Sequence, residues 1–92
     1  MLFRSTAGGV EPAAITFPLC RDEIDRFVLV EEEDIAAAIR AMLETHHLLI
    51  EGAAALPVAS LLKVAGRYKG RRVVLVLSGA RIGLDTLRGI LA

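Results

Sequence analysis

One apolar run near the carboxyl end of the chain constrains the fold more than any other feature. Five consecutive apolar residues, 73–77, follow the basic pair Arg71-Arg72 and are followed by Ser78-Gly79. A short β-branched run bounded in this way predicts a strand that is buried on both faces. In open α/β sheets, ligands bind beyond the carboxyl ends of such strands. Ser78 and Gly79 are therefore either part of a ligand crevice or a common turn at the end of the strand.

The composition limits the chain to one small domain with much apolar surface. Hydrophobic residues make up 54% of the 92 residues, so part of that surface is expected to be covered by another copy or by a further piece of chain. Eleven Lys and Arg balance eleven Asp and Glu, which gives no indication of nucleic-acid or anionic-membrane binding. No run approaches the ~20 apolar residues of a membrane helix. The single cysteine fits a reducing cytoplasm.

The rest of the pattern predicts helices and a second strand. Helices are expected from Pro18 to about Arg26, from the acidic run 31–34 to about His46, over about 53–65, and from Asp85 as N-cap to the end. Residues 27–30 predict a short buried strand. The helices are expected to bury Leu19, Ile24 and Phe27 in the first, Ile35, Ala38, Ile39, Met42 and Leu43 in the second, and Leu87, Ile90 and Leu91 in the last. The order helix, strand, helix, helix, strand, helix indicates an α/β layer architecture.

Three groups of charged residues are possible sites. The acidic run 31–34 is interpreted as a helix start with a solvated face, because consecutive carboxylates on a helix point in different directions and cannot share a metal. The basic group in residues 67–72 is interpreted as a solvated loop. Glu51 lies between Ile50 and Gly52 before an apolar helix, so its carboxylate either caps that helix or belongs to a site.

Five segments in a fixed order resemble a known family. They are Gly8-Gly9-Val10-Glu11-Pro12, Thr16-Phe17-Pro18-Leu19-Cys20, Val30 with the acidic helix start, Glu51-Gly52-Ala53-Ala54-Ala55, and residues 73–79. Together they resemble the C-terminal part of the catalytic domain of pyridoxal-phosphate-dependent serine/threonine dehydratases, the threonine ammonia-lyases and their relatives. The resemblance covers nearly the whole chain. It implies that residues 1–92 are a single partial domain, a fragment of the three-layer α/β/α fold of the tryptophan synthase β type.

The resemblance also implies which residues meet the cofactor. In this family the serine after the last central strand donates a hydrogen bond to the pyridine nitrogen of pyridoxal 5'-phosphate, and Ser78 occupies the matching place. A neutral hydroxyl there leaves the nitrogen largely unprotonated and favours β-elimination of a hydroxy-amino acid to a 2-oxo acid and ammonia. Glu51 matches a glutamate beside the cofactor pocket. Ser78, Gly79 and Glu51 are the cofactor-binding residues that the resemblance predicts, with no catalytic or metal-binding residue in the chain.

Two parts of the family's machinery have no counterpart in the sequence. The Schiff-base lysine lies in a Ser-Phe-Lys-type motif, and the phosphate is held by a tetraglycine loop; Lys63 and Lys69 are the only lysines here and neither matches. The family's Ser-Gly-Gly-Asn is also changed to Ser78-Gly79-Ala80-Arg81. We therefore expect a truncated gene product or an excised segment that is not catalytically competent alone.

Two further hypotheses remain open. The chain could be a non-catalytic module that buries its apolar excess by self-association as a symmetric dimer. It could instead be a cytoplasmic subunit that completes a separately encoded N-terminal piece, which would carry the missing lysine and glycine loop. In each case the expected partner is a second copy, giving a homo-oligomer, or the missing N-terminal segment.

Overall fold

The chain folds around two packed helices. The computed structural model describes residues 13–92. The α-helices of this part are α1 (Thr16–Glu23), α2 (Glu32–His46), α3 (Gly52–Val64) and α4 (Leu84–Leu91), and a 3-10 turn (Ala65–Tyr68) follows α3. All four expected helices are present, with ends that differ by a few residues. The Gly8-Gly9 segment of the family resemblance lies outside the described residues.

Helix α2 begins where its acidic run predicts. The backbone N–H of Glu31 donates to Oδ2 of Asp34 at 2.8 Å, and the first turn is acidic, which opposes the positive end of the helix dipole. The helix ends at His46, and the C-cap residue His47 adopts the left-handed conformation with φ of 55°. The N–H of Leu48 donates to the carbonyl of Met42. The interpretation of residues 31–34 as a helix start is confirmed.

Helix α3 is built from small and apolar residues, so it packs closely. It begins at Gly52, slightly before the expected start, and Pro57 is its sixth residue. The N–H that Pro57 lacks would have donated to the carbonyl of Ala53, so the helix loses one internal hydrogen bond. Ala54 and Ala55 are fully buried, and small side chains at this face let α2 approach.

The core lies between α2 and α3 and is closed by α4. Its buried residues are aliphatic: Ile35, Ala36, Ala38, Ile39, Ile50, Ala54, Ala55, Val58, Ala59 and Ile90. Ile39 and Ile90 are the largest of the fully buried side chains. Nη1 of Arg40 donates to the carbonyl of Ile90 at 3.0 Å, which ties α4 to α2. The expected apolar stripe of α2 and the inward position of Ile90 are confirmed, whereas Leu91, also expected inward, is exposed.

The two expected strands are not confirmed. Residues 27–30 and 73–77 form neither helix nor β-ladder in the part of the chain that the structure describes. A strand exists only through hydrogen bonds to neighbouring strands, and two short segments alone make a poor sheet. The α/β layer architecture that the element order indicated is therefore not confirmed, since the described residues form helices and no sheet.

Two smaller predictions are wrong. Leu19, Ile24 and Phe27 were expected to form a buried side of α1, but each is exposed and α1 buries no residue, because no other helix of the described part packs against it. Asp85 does not cap α4; Gly83, in extended conformation, is the N-cap, and Asp85 lies in the first turn. There its carboxylate still opposes the positive end of the helix dipole.

Candidate functional site

The start of α3 and the end of the apolar run meet in space. The backbone N–H of Glu51 donates to the carbonyl of Gly79 at 3.1 Å. The side chain of Glu51 lies against the same glycine, because a Cβ added to Gly79 would overlap its Oε1 atom. A larger residue at position 79 would therefore displace the carboxylate, so this close approach depends on glycine. Two residues that the family resemblance singled out are in direct contact.

The Glu51 carboxylate does not cap its own helix. Glu51 occupies the N-cap position of α3, and its carbonyl accepts the first helical hydrogen bond, from the N–H of Ala55 at 2.9 Å. Its side chain makes no capping hydrogen bond. The side-chain cap, one of the two roles that the sequence left open, is therefore not observed, and the carboxylate lies against Gly79 instead.

Ser78 presents its hydroxyl at the same place. The residue is exposed, and its hydroxyl has no hydrogen-bond partner among residues 13–92. The hydroxyls of Thr45 and Ser60, by contrast, each donate to a backbone carbonyl one helical turn earlier. An uncommitted hydroxyl can donate to or accept from an added group without breaking a bond of the fold. Ser78, Gly79 and Glu51 thus form one edge of a candidate site.

Neither lysine of the chain lies at this edge. Nζ of Lys63 donates to the carbonyl of Leu29 at 2.6 Å, in the last turn of α3. From Glu51 to Lys63 the helix rises about 18 Å at 1.5 Å per residue. Lys69 is exposed in the turn that follows α3. The residues at this edge therefore suit the ring-nitrogen side of a pyridine cofactor, but this part of the chain offers it no covalent lysine.

The two residues that follow Gly79 are exposed. They are Ala80 and Arg81, which replace the family's glycine and asparagine.

Within residues 13–92 no three His, Cys, Asp or Glu side chains come together as metal ligands. None of the helices described here has the length and apolar character needed to cross a membrane.

Sequence reasoning located these three residues but missed how they meet. The hydrogen bond between Glu51 and Gly79 joins two segments of different local character, a helix start and the end of an apolar run. The only signal for it was that both segments appeared in the same family resemblance. Periodicity and capping rules carry no information about such a tertiary contact.

Comparison with known proteins identifies the same family. The sequence pattern described as "Pyridoxal-phosphate dependent enzyme" matches residues 3–79. An L-threonine ammonia-lyase of Geobacter sulfurreducens is 46% identical over an alignment of 87 residues, which covers 89% of this chain and 22% of that protein. A putative threonine dehydratase of Sinorhizobium fredii is 43% identical over 95% of this chain and 26% of its own length. An L-threonine ammonia-lyase of Thermotoga maritima is 37% identical over 88% of this chain and 20% of its own length.

These matches confirm the resemblance to threonine dehydratases that the sequence motifs indicated. The chain spans about a fifth to a quarter of the length of the relatives that it matches.

Proposed function

Because this chain belongs to the family of pyridoxal-phosphate dependent enzymes, we propose that it is a segment of the catalytic domain of a cytoplasmic serine/threonine dehydratase. The reaction is the β-elimination of a hydroxy-amino acid to a 2-oxo acid and ammonia. The observation that carries the proposal is the contact of Glu51 with Gly79 beside the uncommitted hydroxyl of Ser78. Relatives named as threonine ammonia-lyases support the choice of reaction.

Each residue at the edge has a distinct task in this proposal. Pyridoxal phosphate, when bound, supplies the electron sink for the elimination. The Ser78 hydroxyl stays neutral at physiological pH, so it would hold the pyridine nitrogen by a hydrogen bond without adding a charge. The Glu51 N–H holds the carbonyl of Gly79 and so fixes the backbone that carries Ser78. The Glu51 carboxylate fills the space that a side chain at position 79 would take.

The chain supplies one edge of the cofactor site and needs the rest from elsewhere. The missing elements are the lysine that binds the cofactor covalently and the glycine loop for its phosphate. We propose that they come from the remainder of the catalytic domain, in the same polypeptide or as a separate subunit. On its own the chain then has no dehydratase activity.

An open apolar face supports a packing surface for that remainder. Val28 and Val30 are half-buried, whereas Phe27 and Leu29 are 75% and 87% exposed. In the second segment, Leu75 packs against the core while Val74 and Val76 are 89% and 71% exposed. Alternate residues thus face the helices and the solvent, as in a sheet that is covered on one side only.

The rest of the catalytic domain is the occupant that we propose for this open face. In α/β folds with a mostly parallel sheet, helices cover both faces. The chain accounts for about a quarter or less of each relative, and α2, α3 and α4 all belong to one core. The second helical layer would therefore come from the part of the relatives that this chain does not match. A second copy of the chain is the competing occupant.

A chimaeric enzyme tests the proposal. The 92-residue chain would replace the matched 87-residue segment of the Geobacter sulfurreducens L-threonine ammonia-lyase, and 2-oxo acid formation from threonine and serine would be measured. We expect cofactor binding and turnover of a hydroxy-amino acid. A folded chimaera that binds pyridoxal phosphate but releases no 2-oxo acid would contradict the proposal.

A matched pair of serine variants assigns the role of Ser78. In the chimaera, Ser78→Ala is expected to lower kcat at least about tenfold, since it removes a hydrogen bond to the group at which charge develops. Ser60→Ala removes a hydroxyl that bonds only to the carbonyl of Leu56 and should leave kcat nearly unchanged. Equal effects of the two variants would show that Ser78 has no special place at the cofactor.

A further inference from the structure

A polar cavity lies away from the contact between Glu51 and Gly79. It has a volume of about 510 Å³ and is lined by Asp25, Arg26, Arg67, Tyr68 and Arg71. Arg26 directly precedes residues 27–30, and Arg71 shortly precedes residues 73–77, so the cavity lies at the amino ends of both apolar segments. Ser78 and Gly79 lie at the carboxyl end of the second segment. The two sites are therefore separated by the length of that segment.

The lining of this cavity carries uncompensated positive charge. Three arginines and one aspartate line the cavity, so the formal charges of these side chains sum to about +2. Among residues 13–92 the one ion pair is between Arg21 and Asp22, and neither lines the cavity. None of the three arginines forms an ion pair within the described part of the chain, although Asp25 lines the same cavity.

Like charges that converge on a cavity attract an anion. Guanidinium groups bind phosphate and carboxylate oxygens in a bidentate manner, and these charge-assisted hydrogen bonds are stronger than neutral ones. The volume lies within the range of small-molecule sites, roughly 300–1,000 Å³. A ligand with two negative charges would balance the lining.

We propose that this cavity binds a small dianion, with a phosphate monoester as the best match in charge and geometry. Arg26, Arg67 and Arg71 hold the oxygens, and the Tyr68 hydroxyl is a further donor. Tyr68 is half-buried and also lines an adjacent apolar cavity of about 200 Å³, formed against α3. The basic group interpreted from the sequence as a solvated loop is, on this proposal, one wall of a binding site.

The tyrosine provides a direct readout. Tyr68 is the only tyrosine of the chain, and the chain has no tryptophan. Its fluorescence therefore reports on the cavity without interference. The 92-residue chain would be titrated with inorganic phosphate, pyrophosphate and succinate at constant ionic strength, with the tyrosine emission and the tyrosine ring NMR signals recorded.

Matched variants distinguish a specific binding site from non-specific attraction of anions to the basic surface. Arg67→Gln and Arg71→Gln are each expected to weaken phosphate or pyrophosphate binding about tenfold, the effect of losing one charge-assisted hydrogen bond. Lys69→Gln and Arg72→Gln remove the same charge from exposed positions of the same turn that do not line the cavity, and should change affinity less than about threefold. Circular dichroism verifies that all four variants keep the helical content of the parent.

Ser78→Ala distinguishes this site from the proposed cofactor site and should leave phosphate binding unchanged. Stronger binding of phosphate than of succinate supports the proposal, whereas stronger binding of succinate would overturn the assignment of a phosphate monoester. The absence of any tyrosine response at millimolar concentrations of all three anions would overturn it. Equal weakening of anion binding by Arg72→Gln and Arg67→Gln would also overturn it, since the binding would then reflect the overall charge of the surface.

Discussion

Replacement of the exposed valines by threonine is expected to change the free energy of unfolding little in the isolated chain and much more in the complete domain. The double variant Val74→Thr/Val76→Thr keeps side-chain shape and adds two hydroxyl groups on the open face. In the monomeric chain, studied at concentrations below those at which its copies associate, these positions are 89% and 71% exposed. Exposed substitutions change the free energy of unfolding by at most about 0.5 kcal/mol each, so the chain alone should lose less than about 1 kcal/mol.

The same substitutions should be costly when a second layer covers the face. A hydroxyl buried without a hydrogen-bond partner costs about 1–3 kcal/mol, so the pair would cost about 2–6 kcal/mol in the chimaeric dehydratase. Val58→Thr is the matched control because Val58 is only 7% exposed and belongs to the core between α2 and α3. It should cost about 1–3 kcal/mol in both contexts.

Urea denaturation measures both cases. Far-UV circular dichroism follows unfolding of the isolated chain, and loss of dehydratase activity follows unfolding of the chimaera. The account requires that Val74→Thr/Val76→Thr shift the midpoint only in the chimaera, whereas Val58→Thr shifts both. Equal small shifts in the chain and in the chimaera would mean that the face stays open in the complete protein, and the reasoning from the alternating exposure would be refuted.

Three other outcomes follow from the structure. Ser78→Ala should change the unfolding free energy of the isolated chain by less than about 0.5 kcal/mol, because the residue is exposed and its hydroxyl is uncommitted; a large loss in thermal denaturation would make Ser78 structural. Gly79→Ala should displace the Glu51 carboxylate and lower the activity of the chimaera. Adding Glu51→Ala to this variant should restore part of the activity by making room for the methyl group. If activity were not restored, the loss would come from the backbone at position 79 and not from the carboxylate. The isolated chain should self-associate through its open face, and a monomeric mass by light scattering at micromolar concentration would contradict this.

The helices could be predicted because their signals are local. The acidic run 31–34 and the apolar stripe of α2 both act within a few residues of chain. The expected start of α3 at about residue 53 likewise lies close to the observed start at Gly52. The start of α4 was misplaced because Asp85 is a good cap by type, but the extended Gly83 takes that position.

Burial and strand pairing could not be predicted in the same way, because they depend on neighbours. Phe27 and Val74 have the apolar character of buried strand residues, yet both are exposed in a chain without a second layer. The sequence pattern thus reports the environment for which these residues are suited. For the site, the family resemblance located Glu51, Ser78 and Gly79, whereas the hydrogen bond from Glu51 to Gly79 required the folded chain.

The most direct test of the central claim is the cofactor content of a reassembled domain. The 92-residue chain would be mixed with the part of the Geobacter sulfurreducens L-threonine ammonia-lyase that it does not match, in the presence of pyridoxal phosphate. Light scattering would give the mass, and visible absorbance the cofactor content, of the complex and of each part alone. The account predicts a defined complex with stoichiometric cofactor, and no bound cofactor on the isolated chain. If the isolated chain bound the cofactor stoichiometrically, and borohydride reduction fixed it to Lys63 or Lys69, the claim that this chain supplies only one edge of the site would be contradicted.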